Sequence, residues 1–307
     1  MVAKLLIYKI LQLFCVMIIG FLIAKLKMIK PKDSVVLSRL SLYLLMPSAI
    51  LNAFDFDMTE SVAGGLLLAF LAAIIIHAVL YLLDILYGKY VSKGPVERAS
   101  VMYSNAGNLI IPIVSFVLGA EWVVFSTAFL TVQLLFIWTH GVRLFSSSEP
   151  ISIKKILLNV NIIAIGVGFV LMLCGLRLPN FVRDVISPFS TVLGPVGMLI
   201  AGMLAAEMDF KRAFADKRIY RAVAVRTLLY PCIMLVLLRL FAFLPIINGE
   251  KILLVSFLAC ITPSAASVMQ FAQIHNADAE YATAINILST IVCVATMPLF
   301  VVLFELF

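Results

Sequence analysis

The chain has 307 residues, of which 64% are hydrophobic and 13% charged, and its mean hydropathy is +1.14. So few polar residues cannot cover a soluble globule of this size, which excludes a soluble enzyme or binding domain and indicates an integral membrane protein. The formal net charge of +7 does not signal a nucleic-acid surface, because the Lys and Arg residues lie in short stretches between apolar runs.

Apolar runs of roughly 20 residues without period-two alternation predict helices and not a barrel, with negligible strand. Ten spans are predicted in chain order, at 5–24, 35–54, 62–86, 99–118, 122–142, 156–175, 188–206, 222–243, 252–272 and 281–304. The first is too long for a signal-peptide core and has no evident cleavage site, so it reads as a transmembrane helix. Cys15, Cys174, Cys232, Cys260 and Cys293 all sit inside apolar runs with no CxxC spacing. They read as small hydrophobes, with no metal site or disulfide among them.

Basic residues flanking short loops stay on the cytoplasmic side. The loops after spans 1, 3, 5 and 7 hold sixteen of them, among them Lys25, Lys89, Arg143 and Lys211, against five in the opposite set. Both termini are therefore predicted outside a multi-pass protein of the cell membrane. The longer connection around Ser146-Ser147-Ser148-Glu149-Pro150 divides five spans from five. An odd number of spans per half makes the second half enter from the opposite side, the condition for an inverted repeat. The predicted organisation is a first five-helix repeat at 1–145, a cytoplasmic linker at 146–155 and a second repeat at 156–307. Faint internal echoes agree: spans 2 and 7 both end in acidic patches (Asp55 and Asp57; Glu207 and Asp209), and Glu121-Trp122 and Glu280-Tyr281 open spans 5 and 10.

Two spans are interrupted near their midpoints. Span 4 contains Asn105, Gly107, Asn108, Pro112 and Ser115, with the two carboxamides, the proline and the serine at i, i+3, i+7 and i+10 on one helical face. Span 9 contains Thr262-Pro263-Ser264-Ala265-Ala266-Ser267. Proline removes a donor, and an opened helix in lipid is tolerated only where protein or water satisfies it. Breaks at one depth in the two halves mark the midplane site of a secondary transporter; the bland alternative is a pair of proline-kinked packing helices. An opened helix presents free N–H groups and a positive dipole end to an anion. The substrate-binding candidates are Asn105, Asn108 and Pro112 from span 4, Pro263, Ser264, Ser267 and Gln270 from span 9, and Asn286 from span 10. Neutral donors would hold a carboxylate without a deeply buried cation.

Ionisable residues inside spans are costly and so are functional candidates. His77 and Asp84 in span 3 and Gln133 in span 5 are candidates for support or coupling, with Asp84 also read as hydrated or as a partner for Arg226 in span 8. Gly194-Pro195-Val196-Gly197 and Gly202 in span 7, like Pro47 in span 2, fit close helix packing.

Asn105-Ala106-Gly107-Asn108 followed by Pro112, Leu45-Met46-Pro47 and Thr262-Pro263 resemble the auxin efflux carrier family of membrane transporters, over essentially all ten spans. The family includes the plant PIN carriers and bacterial organic-acid or malonate permeases. The resemblance implies an all-α polytopic fold of ten transmembrane helices in two inverted five-helix repeats, similar to that of bile-acid symporters, with helices 4 and 9 crossing at their prolines. It implies a scaffold of helices 1, 2, 6 and 7, and a transport domain of helices 3–5 and 8–10. A polar support region between helices 3 and 5, to which His77 and Gln133 would correspond, and a homodimer through the scaffold are also implied by the resemblance alone. The large loop of the long plant carriers is missing here, so auxin itself does not follow.

The expected activity is transport of a small organic anion, a carboxylate such as malonate, malate or an auxin-like acid, by alternating access where helices 4 and 9 cross. No catalytic residues, metal or cofactor are expected; the sequence has no Walker A, HExxH or GxSxG pattern. The expected partners are the anion and the lipid bilayer, with no nucleic acid. Two alternatives are a sodium-coupled symporter of the bile-acid type and a membrane ligand sensor that binds without transporting.

Overall fold

The computed structural model describes residues 2–56, 59–146, 154, 157–241 and 248–306. Helices account for nearly all of the regular structure, and the described residues contain no strand beyond one isolated bridge between Ser104 and Ser264. We number the helices in chain order. They are α1 (Val2–Lys25), α2 (Pro31–Ala53), α3 (Glu60–Tyr90), α4 (Pro95–Met102), α5 (Ala106–Val117), α6 (Val123–Phe145) and α7 (Val160–Leu173). There follow α8 (Asn180–Ala205), α9 (Phe210–Ala215), α10 (Lys217–Phe241), α11 (Gly249–Cys260), α12 (Ala266–Ile274) and α13 (Ala279–Leu306). Six of them, α2, α3, α6, α8, α10 and α13, are long and apolar enough to cross a bilayer by length and composition.

Several bounds differ from the hydropathy reading. The helix expected at 188–206 begins at Asn180, directly after Pro179, because Pro188 and Pro195 are both absorbed inside α8. The helices expected at 99–118 and 252–272 are each two pieces, α4 with α5 and α11 with α12. The linker expected at 146–155 falls mainly outside the described residues.

Two long helices widen by a π-turn just before a proline: Ser41–Leu45 precedes Pro47 in α2, and Val225–Leu229 precedes Pro231 in α10. A proline interrupts the ladder and its ring crowds the previous turn, and an i→i+5 turn accommodates both. Ser41 lies in the first of these turns and Arg226 in the second, and both are buried.

α1 packs along α8 at backbone contact distance. A Cβ on Gly20 would lie 2.4 Å from the Leu199 carbonyl oxygen, and one on Gly202 would lie 2.0 Å from that of Met17. Small residues allow this approach where lipid supplies no hydrophobic drive between helices. Outward faces are apolar: Leu67, Leu71, Ile74 and Leu82 on α3 and Val167, Val170 and Leu173 on α7 are exposed. On a soluble protein such a belt would be an aggregation surface; on a membrane protein it faces acyl chains.

One end of the bundle is tied by polar and aromatic contacts between connecting segments. Phe21 meets Phe210 at 6.2 Å, Tyr87 and Arg221 both bond Glu97, and Ser146 lies 3.2 Å from His275 Nδ1. This end gathers the basic segments around Lys25, Lys89, Arg143 and Arg218. At the other end Arg183 pairs with Asp55, and Arg239 with Glu250 at 2.7 Å.

Candidate functional site

The two broken helices meet inside the bundle and pair through their backbones. The N–H of Asn105 donates to the Pro263 carbonyl at 2.8 Å, and the N–H of Ala265 to the Tyr103 carbonyl at 3.0 Å. This is a two-bond antiparallel bridge, and it satisfies groups that an opened helix would otherwise leave bare in an apolar setting. Asn105 occupies the N-cap position of α5, yet its side chain does not cap that helix. Its Oδ1 accepts from the N–H of Ala266, the first residue of α12, at 3.3 Å. Each break thus depends on the other.

Side chains from two further helices brace the crossing. Gln133 on α6 accepts from the N–H of Ser104 at 3.2 Å and from its hydroxyl, and donates to its carbonyl at 2.9 Å. Asn286 on α13 donates to the Ser264 carbonyl at 2.6 Å, and the Ser289 hydroxyl accepts from the Ser264 N–H at 3.1 Å. Both linking segments are therefore gripped as a strand would be, by paired donors and acceptors.

Beside the crossing lies a polar cavity of about 20 Å³, lined by Ser41, Ser104, Asn105, Gly107, Asn108, Gln133, Ser267 and Gln270, with Met46, Leu130, Leu134, Ile137, Leu193 and Ala265. It has room for a single water. The first turns of α5 and α12 both lie against it, and by helix geometry their leading N–H groups have no intrahelical acceptor. The buried Nδ2 of Asn105 also has no partner among the described residues. Among the described residues no charged side chain lines the cavity. An unpaired amide and two positive helix ends, with no acid among the described residues of the lining, suit a small anion. An apolar cavity of about 30 Å³ shares Met46, Gly107, Leu130, Leu134 and Leu193 and continues along α2 past Ile50 and Phe54.

On its other side the cavity is closed by a ladder between α2 and α12. Ser34, Ser38 and Ser41 follow one another at i, i+4 and i+7, all buried. Gln273 donates to the Ser34 hydroxyl at 2.7 Å and accepts from Ser38, and Gln270 donates to Ser41 at 3.1 Å. Hydroxyl-to-carboxamide bonds of this kind contribute about 1 kcal/mol each, so the seam is closed but re-openable.

Of the residues expected at the site, Asn105, Asn108, Ser267 and Gln270 line the cavity. The glycines of α8 make room for Asn108: a Cβ on Gly194 would lie 3.2 Å from its carbonyl oxygen. Pro263 and Ser264 form the crossing itself, and Asn286 stands behind it without reaching the cavity. Pro112 does not mark the opening. The chain opens at 103–105, seven residues before it, and Pro112 lies inside α5, where its missing N–H frees only the Asn108 carbonyl. Ser115 is exposed.

The support candidates also separate. Gln133 holds Ser104 and not His77; His77 Nδ1 sits 2.7 Å from the Ala73 carbonyl of its own helix, with its ring against Phe129 and Phe136. Asp84 does not meet Arg226. It takes the guanidinium of Arg98, at 3.1 Å from Nε, and lies 3.3 Å from His140 Nε2, whose Nδ1 contacts the Tyr103 hydroxyl at 2.8 Å. Arg226 is turned instead toward backbone carbonyls at the crossing. Among the residues that sequence reasoning missed, the Ser34, Ser38 and Ser41 spacing was visible as a polar stripe in an apolar helix.

Residues 5–301 match the model of a family described as Membrane transport protein. No curated protein matches the chain.

Proposed function

Because the chain belongs to the membrane transport protein family, the auxin efflux carrier family, we propose that this membrane transporter is a secondary carrier of a small organic anion. The cargo is a carboxylate such as malonate, malate or an auxin-like acid. It is held beside the crossing by the first turns of α5 and α12 and by the carboxamides of Asn105, Asn108 and Gln270. The observation that carries this is the meeting of two helix N-termini and a buried amide at a cavity where, among the described residues, the amide has no partner and no charged side chain lines the wall.

In this proposal the protein has ten membrane crossings, α4 with α5 and α11 with α12 each making one. They form inverted repeats at 1–145 and 156–307, with both termini outside the cell membrane. α1, α2, α7 and α8 form the scaffold, which also makes a homodimer. α3–α6 and α10–α13 move. A cavity with room for one water holds no organic acid, so α5 and α12 must shift against α2 and α8 to admit one. Parting of the seam between α2 and α12 opens the basic, cytoplasmic end. Widening of the apolar cavity along α2 opens the other. Alternation between the two is transport.

The test is purified protein in proteoliposomes on a solid-supported membrane, challenged with malonate, malate and indole-3-acetate, with and without sodium and a pH gradient, and backed by labelled uptake. Flux of one acid class, lost in a folded Asn108→Ala variant, is the expected result. Saturable binding of an acid with neither current nor uptake would make the protein a sensor.

A further inference from the structure

Arg226 occupies the second position of the π-turn in α10, and its side chain is 1% exposed. A guanidinium stays charged at any physiological pH, and its burial is costly without partners. Among the described residues no carboxylate pairs with it, since Asp84 is engaged by Arg98 and His140.

Its partners are all backbone carbonyls. Nη2 donates to those of Cys260 and, at 2.8 Å, Thr262; Nε reaches Thr262 at 3.2 Å; Nη1 lies 3.4 Å from the Val101 oxygen and 3.5 Å from that of Met102. Met102 is the last residue of α4, and Cys260 is the last of α11. Each helix brings roughly half a negative charge to its C-terminal end, so the two ends face one guanidinium with about one unit.

Convergent carbonyl oxygens at the ends of half-helices are the donor set that a coupling sodium ion takes in discontinuous-helix carriers. Here that position is filled from within the chain. We propose that Arg226 is a resident cation in the place a sodium ion would otherwise take, so that the crossing is electrostatically complete with no metal ion bound at these carbonyls. The ends of α4 and α11 are neutralised permanently. The N-terminal ends of α5 and α12 are left as the uncompensated pair. The electrostatic role of Arg226 stands whether or not an anion is carried, and it goes beyond the transport proposal.

The experiment is thermal unfolding of the purified chain in lipid nanodiscs, in choline chloride, sodium chloride or millimolar methylguanidinium chloride at constant ionic strength. Wild type should melt at one temperature in all three. Arg226→Lys should stay close to it, and Arg226→Ala should melt about 5 °C lower or more and recover part of that shift with sodium or methylguanidinium but not with choline. Wild type stabilised by sodium over choline would overturn the proposal, as would Arg226→Ala melting at the wild-type temperature without an added cation. If Arg226→Ala does not fold, Arg226→Lys against Arg226→Gln decides, and Gln matching Lys overturns it. Melting needs no substrate, so its failure and a failure of anion transport are separate results.

Discussion

The space a methyl group on Gly197 would fill is taken by the carboxamide nitrogen of Asn108, 2.8 Å from where that Cβ would stand. A helix of the opposite half of the chain thereby sets the position of a cavity side chain. Gly197→Ala should turn the Asn108 amide away while leaving α8 intact, because the displaced atom ends a flexible side chain. If that amide holds a carboxylate, affinity falls about tenfold or more, the scale of a hydrogen bond to a charged group. Substrate titration with a parallel melting curve would show this; unchanged affinity would remove Asn108 from the binding set.

Gln133 meets Ser104 at its N–H, its hydroxyl and its carbonyl. Gln133→Leu strips the partners from a buried backbone donor and acceptor, at a cost of about 1–3 kcal/mol for each group left bare. A clear fall in melting temperature in detergent is expected, together with lost transport. A variant as stable as wild type would mean that the crossing is held by its own two backbone bonds.

The seam between α2 and α12 can be locked. In a background freed of native cysteines, Ser38→Cys with Gln273→Cys places two thiols where a hydroxyl now meets a carboxamide. Oxidation or a bifunctional thiol reagent should stop transport, and reduction should restore it. Full activity of the cross-linked protein would show that this seam stays shut through the cycle.

Glycines in this chain are not equivalent. Gly202→Ala drives a methyl into the backbone of Met17 and Phe21, which cannot swing aside, whereas Gly166 has nothing within 4 Å of the added carbon. Gly202→Ala should lose about 1–3 kcal/mol or fail to accumulate, and Gly166→Ala should match wild type. Expression and melting temperature of the pair test it directly.

Among the described residues Asp84 and Arg226 are not bonded to one another, while Asp84 and Arg98 are. In a double-mutant cycle Asp84→Asn with Arg98→Met should couple, whereas Asp84→Asn with Arg226→Lys should add to within about 0.5 kcal/mol. Coupling in the second cycle would restore the Asp84–Arg226 pair that the sequence leaves open.

Hydropathy makes most of the helices legible, and the polar stretches in spans 4 and 9 mark where the chain opens. The exact opening at 103–105 is not legible, because it is fixed by Pro263, Ala265 and Gln133, residues far away in the chain, and not by the conspicuous Pro112. Asn105 reads correctly as a special position, but its role as a cap for the other helix needs both breaks in view at once. For Asp84 the sequence leaves hydration and an Arg226 pair open, and the structure gives it Arg98 instead, for a similar reason: helical spacing orders residues on one face and says nothing of which neighbour's cation arrives there. Arg226 was the plainest signal of all, a charged residue within an apolar span, and its carbonyl partners have no sequence signature.

A space with room for one water molecule at the crossing also bears on what the protein must not do. A file of waters through the bundle would conduct protons down the membrane potential in every idle moment. Among the described residues the polar cavity is closed on one side by the Ser and Gln seam and continues on the other only as the cavity along α2, whose mainly apolar lining disfavours a file of waters. If the helices shift for each cargo molecule as proposed, the same closeness would limit proton leak across the membrane between turnovers.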